Sequence, residues 1–340
     1  AADKRIANEK ISCGAANVII GTHALITDKA CFKNLALVIT DEQHRFGVKQ
    51  RSVLSAKGIN AHTLVMTATP IPRTLSLIIY GDLDISVIDE LPPGRKAIKT
   101  YSVSEKMRSR VYNHLAKSIE SGRQVYIVCP LVEDSEVLTA KSVTMYVEEL
   151  KKSELSKFRI GVIHGRLKSK EKDAVMEAFK SGDIDILVST TVIEVGVDVP
   201  NASVMVVENA ERFGLSQLHQ LRGRIGRGEH CSECILFCET DGKIAKERMK
   251  VMCSTNDGFK IAEKDLELRG PGEFFGLRQH GLPELKFANL ALDMDILAVA
   301  KKAAAELLEA DPTLSMPQQH ALREHIRSKF SEVGASGILN

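Results

Sequence analysis

The chain has 340 residues, of which 44% are hydrophobic and 26% are charged, and its formal net charge is +2. This length suits about two soluble domains with ordinary cores, and without a run of about 18 apolar residues nothing in the sequence suggests a membrane span. Because the chain is close to neutral, attraction to nucleic acids or nucleotides has to come from local clusters of basic residues.

Short apolar runs rich in β-branched residues predict strands along the chain. In order, they lie at 17–21, 35–40, 63–67, 124–129, 158–164, 185–190 and 203–208. Their apolar residues are continuous more than alternating, which is typical of parallel strands buried on both faces. The run ECILFC, at 233–238, also predicts a buried strand.

Helical patterns alternate with several of these runs. Apolar residues recur at helical spacing over 143–150 and, more briefly, over 175–179. Strands that alternate with helices predict a doubly wound α/β fold. The break at LPPGRK (91–96) separates two such lobes.

The predicted strands stop after residue 240. The next segment, 241–268, has the pattern of two helices, DGKIAKERMKVMC and NDGFKIAEKDLEL. A glycine-rich loop at 269–281, RGPGEFFGLRQHG, and a helical tail to about residue 330 complete the predicted order of elements.

Seven cysteines, most of them inside apolar runs, favour reduced thiols in a cytosolic core. One cluster, His230, Cys231, Cys234 and Cys238, has a zinc-like spacing. A structural zinc site usually needs a second ligand pair, and the sequence has no second C-x-x-C. Buried thiols are therefore the favoured interpretation, with zinc binding as the alternative.

Two stretches of the first lobe carry polar residues directly after a predicted strand. In LALVITDEQH (35–44), Asp41 can hold Mg²⁺ on nucleotide phosphates and Glu42 can orient a water, although a capped turn is the alternative. In TLVMTATPIPR (63–73), the hydroxyls of Thr67 and Thr69 can pass hydrogen bonds from one site to another. A threonine-rich strand exit is the simpler reading of that second stretch.

The second lobe repeats this arrangement in HGRLKSKEK (164–172). His164, Gly165 and Arg166 lie between a strand and a helix. Free amides at a helix start, beside a basic residue, can bind an anion. An exposed basic helix cap is an equally good reading of this stretch alone.

The stretch STTVIEVGVDVPNA (189–202) follows the next strand. Thr190 and Thr191 can donate to phosphate, Gly196 allows close approach, and Asp198 can accept a hydrogen bond from a ribose hydroxyl. The alternative is a turn between strands.

Three arginines crowd into QLHQLRGRIGRG (217–228), at positions 222, 224 and 227. A guanidinium has a fixed charge and a fork of donors that matches phosphate oxygens. Arg224 and Arg227 can therefore reach a γ-phosphate, where an arginine contributes about 10³–10⁵ in rate. A solvated basic loop is the commoner outcome for one such stretch, but it is improbable that all five stretches are incidental together.

In this order, these stretches resemble the motifs of superfamily-two helicases and translocases. The resemblance is closer to the RecG branch, through DEQHRFGVKQR, TATPIPRTL, DELPPGR, TTVIEVGVDVPNA, QLHQLRGRIGRG and DLELRGPGEFFG. It implies two RecA-like parallel-sheet lobes, the first of them truncated, followed by a helical hairpin and a helical C-terminal tail. The implied domains are 1–95 for the first lobe, 96–240 for the second, and 241–340 for the translocation hairpin, loop and tail.

The resemblance also implies a role for each matched residue. Asp41 and Glu42 would serve Mg²⁺ and water activation, and Arg224 and Arg227 would act on the γ-phosphate. Facing the nucleotide from the second lobe would be Gly196 and Asp198. Coupling between the nucleotide and DNA would involve His44, Thr67, Thr69 and Arg222. The residues expected at DNA are Thr22, His23, Arg166, Thr191, Arg269 and Gln279.

One family feature is missing from the 340 residues: they contain no G-x-x-x-x-G-K-[ST] loop, the usual cradle for nucleotide phosphates. The family's N-terminal wedge domain has no counterpart either. We therefore expect a segment of a longer protein that binds ATP weakly and does not hydrolyse it alone.

The whole protein is expected to be an ATP-dependent helicase that remodels branched double-stranded DNA, such as stalled forks and four-way junctions. The resemblance implies ATP and Mg²⁺ as cofactors, a monomer, a bacterial cytoplasmic location at the nucleoid, and single-stranded DNA-binding protein as a further candidate partner. One alternative is the related transcription-repair coupling translocase, which typically has D-E-E-H where this chain has Gln43. The other is a non-catalytic nucleic-acid-binding module.

Overall fold

The computed structural model of the chain describes residues 2–27, 30–42, 57–58, 61–67, 69–70, 84–92, 94–130, 136–190, 199–228, 230–240, 242–269 and 294–332. They belong to two compact units, Ala1–Thr69 with Ala298–Asn340, and Pro70–Leu297. Among the described residues, no helix is long and apolar enough to cross a membrane.

The first unit contains a short parallel sheet. Its elements from the start of the chain are helix α1 (Ala2–Cys13), strand β1 (Leu37–Thr40) and strand β2 (His62–Val65). The strands pair in register from Leu37↔His62 to Thr40↔Val65, so their carboxyl ends lie at the same edge.

Two expectations for the first unit are wrong. The run at 17–21 forms no strand, and Val18 and Ile20 are 80% and 94% exposed. The expectation that β1 and β2 are buried on both faces is also wrong, because Leu37, Ile39 and Leu64 are about half exposed. A strand needs neighbours for its backbone hydrogen bonds and cover for its faces, and within the described residues this sheet has two strands only.

The second unit is built on a six-stranded parallel sheet. Along the chain the strands are β3 (Lys99–Val103), β4 (Gln124–Cys129), β5 (Ile160–Ile163), β6 (Ile186–Thr190), β7 (Ala202–Val207) and β8 (Glu233–Phe237). Their order in the sheet is β3-β8-β7-β4-β6-β5. The predicted strands at 124–129, 158–164, 185–190, 203–208 and 233–238 are confirmed, with small changes at their ends.

Helices cover both faces of this sheet. They are α2 (Arg108–Glu120), α3 (Glu136–Leu150), α4 (Ser169–Lys180), α5 (Leu215–Arg222), α6 (Lys243–Ser254) and α7 (Gly258–Arg269). Alternate residues of the central strands enter two separate cores. Ile127 packs with residues of α2 and α3, whereas Val128 packs with residues of α4, α5, α6 and α7. The doubly wound α/β fold is therefore confirmed, and all residues of β4, β6 and β7 are buried.

Strand β3, KTYSV, is absent from the predicted strands because its sequence is mostly polar. It lies at the edge of the sheet, pairs with β8 alone, and leaves Tyr101 45% exposed. An edge strand has less surface to bury than a central one, so its apolar signal is weaker.

The helical predictions for the last third of the chain are confirmed. Helices α6 and α7 form the predicted pair at 241–268, and α8 (Met294–Ala310) and α9 (His320–Glu332) form the tail. The glycine-rich loop at 269–281 lies outside the described residues, apart from the backbone of Arg269.

Candidate functional site

In the second unit, polar residues end the central strands at the carboxyl edge of the sheet. The register pairs Cys129 with Thr190 and Ile163 with Ser189, which brings His164 to the same edge. Ser189 and Thr190 are fully buried, and within the part of the chain that the structure describes neither hydroxyl has a hydrogen-bond partner, nor does the buried Nδ1 of His164. Because a buried polar atom without a partner is costly, these atoms mark a place for water or a ligand.

A basic segment borders these atoms. Helix α4 begins five residues after His164, with Arg166 exposed between them, and Lys172 Nζ donates to the carbonyl of Gly165 at 3.2 Å. Burial lowers the pKa of His164, and the charges of Arg166 and Lys172 lower it further. A neutral imidazole beside two cations suits an anionic ligand, and an anion site in this stretch stays a prediction.

The three arginines of 217–228 have different surroundings. Arg222 ends α5 and is only 2% exposed. Its Nη1 donates to the carbonyls of Met252 and Thr255, both at 2.9 Å, and to Thr100 Oγ1 at 3.2 Å. One guanidinium thus joins α5, the carboxyl end of α6 and strand β3. Free carbonyls at the end of a helix such as α6 favour a cation.

His219 completes this contact from the preceding turn of α5. Nη2 of Arg222 lies 3.1 Å from His219 Nδ1. Since a guanidinium only donates, Nδ1 is the acceptor and the histidine proton is on Nε2. Burial, followed by the charge of Arg222, lowers the pKa of His219 to about 4.

The turn after α5 carries the other two arginines. The carbonyl of Gly223 accepts from Arg95 Nη2 at 3.0 Å and from Arg227 Nε at 3.4 Å. Arg227 is exposed, and Arg224 is half-buried, with its backbone amide donating to the carbonyl of Leu221 at 2.9 Å. The turn therefore presents two guanidinium groups while Arg222 is enclosed.

Two glycines explain how the chain makes this turn. Gly226 has φ +78°, a left-handed conformation that side chains disfavour. At Gly228, an added Cβ would lie 2.3 Å from the carbonyl oxygen of Pro200. The glycines are needed for backbone conformation and for close approach.

The first unit brings its own predicted residues to one edge of its sheet. Asp41 and Glu42 follow β1, and the amide of Met66, after β2, donates to the Thr40 carbonyl at 2.8 Å. Glu42 has φ +50°, and its amide donates to Asp41 Oδ1 at 2.8 Å. Left-handed backbone at a non-glycine residue is often found at functional sites.

The two threonines predicted to couple sites contact each other at this edge. The hydroxyls of Thr67 and Thr69 are 3.0 Å apart, and the amide of Thr69 donates to Thr67 Oγ1 at 3.2 Å. These hydrogen bonds link the two threonines directly, and their role in coupling two sites stays a prediction.

Sequence reasoning missed Lys57, which fixes the loop after Thr22. Its Nζ donates to the carbonyls of Leu25, Thr27 and Ala30 at 3.3, 2.5 and 3.0 Å. Thr22 itself is exposed at the start of this loop, and its carbonyl accepts from the amide of Leu25 at 3.0 Å. No local pattern signals such a lysine, because its acceptors are backbone carbonyls distant in sequence.

Several predicted residues cannot be located. Outside the described residues lie His44, Thr191, Gly196, Asp198 and Gln279. For His23 and Arg269 only the backbone is described, in a short 3₁₀ helix and at the end of α7.

The cysteines only partly follow the buried-thiol interpretation. Cys129 and Cys234 are buried, whereas Cys31 is exposed because it precedes β1 instead of lying within it. Exposed too are Cys13, Cys231 and Cys253. Across the described parts of the chain, no three His, Cys, Asp or Glu residues are grouped as metal ligands.

Three family models match the chain. Residues 1–78 match the DEAD/DEAH box helicase model, 106–229 the helicase conserved C-terminal domain, and 255–333 the C-terminal part of domain 3 of ATP-dependent DNA helicase RecG. The predicted boundaries at 95 and 240 fall between these segments and stay predictions.

Curated relatives agree with these matches along most of the chain. ATP-dependent DNA helicase RecG of Bacillus subtilis (strain 168) is 51% identical over 318 residues, which is 94% of this chain and 47% of the relative. The RecG protein of Thermotoga maritima is 53% identical over 303 residues, 88% of this chain and 39% of the relative. A solved structure of RecG bound to a three-way DNA junction is 49% identical, covers 87% of this chain and 38% of that one, and superposes with a TM-score of 0.66.

The chain belongs to the RecG family. It spans about half the length, or less, of the curated RecG relatives it matches. The RecG likeness also confirms the RecA-like helicase fold. Gln43 was the residue that favoured RecG over the transcription-repair translocase, and the two curated relatives described above are RecG proteins.

Proposed function

We propose that the protein to which this chain belongs is an ATP-dependent translocase of double-stranded DNA that remodels branched DNA such as forks and four-way junctions. The observation that carries the proposal is the 49% identical structure of RecG bound to a three-way DNA junction. The exposed arginine turn and the basic carboxyl edge of the second unit provide suitable chemistry for phosphates.

In this proposal, carboxylates and arginines of the predicted motifs serve the nucleotide. Asp41 holds Mg²⁺ and Glu42 orients the attacking water, in keeping with carboxylates that follow a strand. Arg224 and Arg227 stabilise charge on the γ-phosphate, and Gly196 and Asp198 contact the nucleotide. Mg²⁺ would hold the phosphates in place and neutralise their charge.

Coupling and DNA contacts follow the same proposal. Arg222 joins α5 to the α6–α7 hairpin and so transmits movement to it, with support from its contacts to Met252 and Thr255. The other coupling residues are His44, Thr67 and Thr69. DNA would be contacted by Thr22, His23, Arg166, Thr191, Arg269 and Gln279. The protein would act as a monomer at the bacterial nucleoid, in the cytoplasm, with single-stranded DNA-binding protein as a candidate partner.

The test uses the full-length gene product and compares forked, linear duplex and single-stranded DNA. We expect forked DNA to stimulate ATP hydrolysis most and to be unwound. Replacing Arg227 with alanine (Arg227→Ala) should reduce stimulated hydrolysis by at least about 10³-fold, because a γ-phosphate arginine contributes that much. DNA affinity should stay near that of the wild type.

The matched control is Arg212→Ala, which removes an exposed arginine from the 3₁₀ helix before α5. It should leave hydrolysis unchanged. If Arg227→Ala kept hydrolysis within tenfold of the wild type, the γ-phosphate role would be wrong. If no DNA stimulated the wild-type protein, the translocase function itself would be wrong.

A further inference from the structure

An ion pair between a buried carboxylate and a partly buried arginine lies at the carboxyl edge of the second unit's sheet, and it has no part in the roles given above. Glu208 directly follows β7 and is 5% exposed. Arg108, the first residue of α2, donates two hydrogen bonds to the carboxylate of Glu208. Nη1 donates to Oε1 at 2.9 Å, and Nη2 donates to Oε2 at 2.8 Å. This bidentate geometry is the strongest arrangement for such a pair.

Two tyrosines and an aromatic ring complete the cluster. Tyr146, on α3, donates its hydroxyl to Glu208 Oε1 at 2.7 Å. Tyr112 accepts from Arg108 Nη1 at 2.9 Å and lies 3.3 Å from the Tyr146 hydroxyl. The guanidinium also stacks 4.3 Å from the ring centre of Phe237. Arg108 also donates to the exposed Glu105, from Nε and, at 2.6 Å, from Nη2, so its donors are shared between Glu208, Tyr112 and Glu105.

The cluster fixes the point where the chain leaves the sheet. The amide of Glu208 donates to the carbonyl of Val128 at 2.8 Å, which ties β7 to β4 beyond the last strand pair. The next residue, Asn209, is left-handed, with φ 47° and ψ 52°. A buried anchor beside a residue in a rare conformation determines the direction of the exit.

The segment that leaves there leads to the arginine helix. After Asn209 come a 3₁₀ helix at Ala210–Arg212, the buried Phe213, and α5. Helix α5 ends in Arg222 and is followed directly by the turn with Arg224 and Arg227. The position of these arginines thus depends on where β7 releases the chain.

We infer that Glu208, held by Arg108 and Tyr146, is a positioning residue that sets the exit from β7 and thereby the placement of α5 and its arginine turn. The inference rests on the proposed function, because the arginines matter for rate only if they act on a nucleotide. An ion pair in such surroundings is not needed for stability as such, since well-packed apolar residues often serve equally well. The definite geometry that the pair imposes is therefore the property that the variants below test.

Three variants of the full-length gene product test the inference through ATP hydrolysis with forked DNA. Tyr146→Phe removes one hydrogen bond and little volume. The double variant Arg108→Met/Glu208→Leu replaces the pair by apolar side chains. Arg159→Met/Asp185→Leu is the matched control, because that pair is also bidentate, at 2.7 and 3.0 Å, but lies before β5 and β6 at the opposite edge of the sheet.

We expect Tyr146→Phe and the apolar double variant to lower kcat by about tenfold, with the KM for ATP within about twofold, since such networks modulate coupling by that order. The melting temperature of the double variant should stay near that of the wild type, and the control should keep its kcat. If the cluster had only a structural role, every variant that folds stably would keep the kcat of the wild type. If the double variant does not fold, Tyr146→Phe alone decides the outcome.

Amide hydrogen exchange gives a second readout that does not depend on hydrolysis. Residues 209–214 should exchange faster in Tyr146→Phe than in the wild type, and at the wild-type rate in the control. Unchanged exchange with unchanged kcat, or an equal loss of kcat in the control, would overturn the inference. If the wild type showed no DNA-stimulated hydrolysis, the proposed function would fail, and the exchange rates alone would then decide this inference.

Discussion

His219 illustrates how a buried cation controls a neighbouring side chain. It accepts a hydrogen bond from Arg222 through Nδ1, which requires a neutral ring. Burial and the charge of Arg222 lower its pKa to about 4, below the ordinary value of 6.5. In the folded protein the histidine therefore stays neutral to a lower pH than in the unfolded chain.

The lowered pKa predicts acid sensitivity. Between pH 6.5 and about 4 the unfolded chain binds a proton at His219 and the folded protein does not. The contribution of His219 to the free energy of unfolding is fully present above pH 6.5. It is lost as the pH falls towards 4, by up to about 3 kcal/mol. We expect the urea midpoint to fall between pH 7 and pH 5, and to fall less in His219→Asn, whose amide oxygen can still accept from Arg222.

His230→Asn is the control for this measurement, because His230 is exposed. It should show the same pH dependence as the wild type. An equal slope for wild type and His219→Asn would mean that His219 does not titrate differently in the two states.

Arg222 shows what sequence reasoning can and cannot resolve at the residue scale. The spacing of Arg222, Arg224 and Arg227 identified a cluster of fixed charges, and the family resemblance separated Arg222 as a link to the hairpin. Its acceptors, the carbonyls of Met252 and Thr255, lie 30 and 33 positions away. Backbone carbonyls carry no side-chain identity, so neither these partners nor those of Lys57 are visible in the sequence.

At the scale of elements, the turn between α5 and β8 depends on close backbone contact. An added Cβ at Gly228 would lie 2.3 Å from the Pro200 carbonyl oxygen and 3.1 Å from its carbon. These are backbone atoms in the segment that leads into β7, so they cannot rotate away as a flexible side chain would. The turn and the start of β7 must therefore separate if the residue gains a side chain.

We expect Gly228→Ala to lower the free energy of unfolding by more than about 2 kcal/mol, in the range of overpacking. Gly182→Ala is the control, because Gly182 has φ +85° and no atom within 4 Å of an added Cβ. In that variant the free energy of unfolding should fall by only about 1–2 kcal/mol, the cost of a left-handed backbone at a residue with a side chain. Urea unfolding of both variants measures the difference, and equal losses would show that the contact with Pro200 relaxes without cost.

Strands and helices were predictable to different extents. Central strands such as β4 and β7 are apolar throughout because both faces are covered, so their sequence alone identifies them. The edge strand β3 was missed, and the run at 17–21 was wrongly expected to pair, because pairing depends on which neighbours are present. An apolar run indicates that a segment tends to be buried. Whether it becomes a buried strand depends on the neighbouring strands with which it can pair.

At the scale of the whole molecule, the motifs are distributed over two units that the chain forms from separate segments. The residues proposed for Mg²⁺ and water, Asp41 and Glu42, belong to the first unit, and the arginine turn belongs to the second. Hydrolysis needs these groups together with donors that hold the β- and γ-phosphates. Within the 340 residues, the sequence pattern that normally supplies those donors does not occur.

We therefore expect the 340-residue chain, expressed alone, to bind ATP weakly and to hydrolyse it at no more than the rate of a Glu42→Gln control, with or without forked DNA. Glu42→Gln removes the group proposed to orient water, so it defines the background. The full-length gene product, assayed in parallel, should turn over at about 1–100 per second, as phosphoryl-transfer enzymes do. If the chain alone hydrolysed ATP near the full-length rate, its own residues would hold the triphosphate. The prediction that it lacks the necessary phosphate donors would then be wrong.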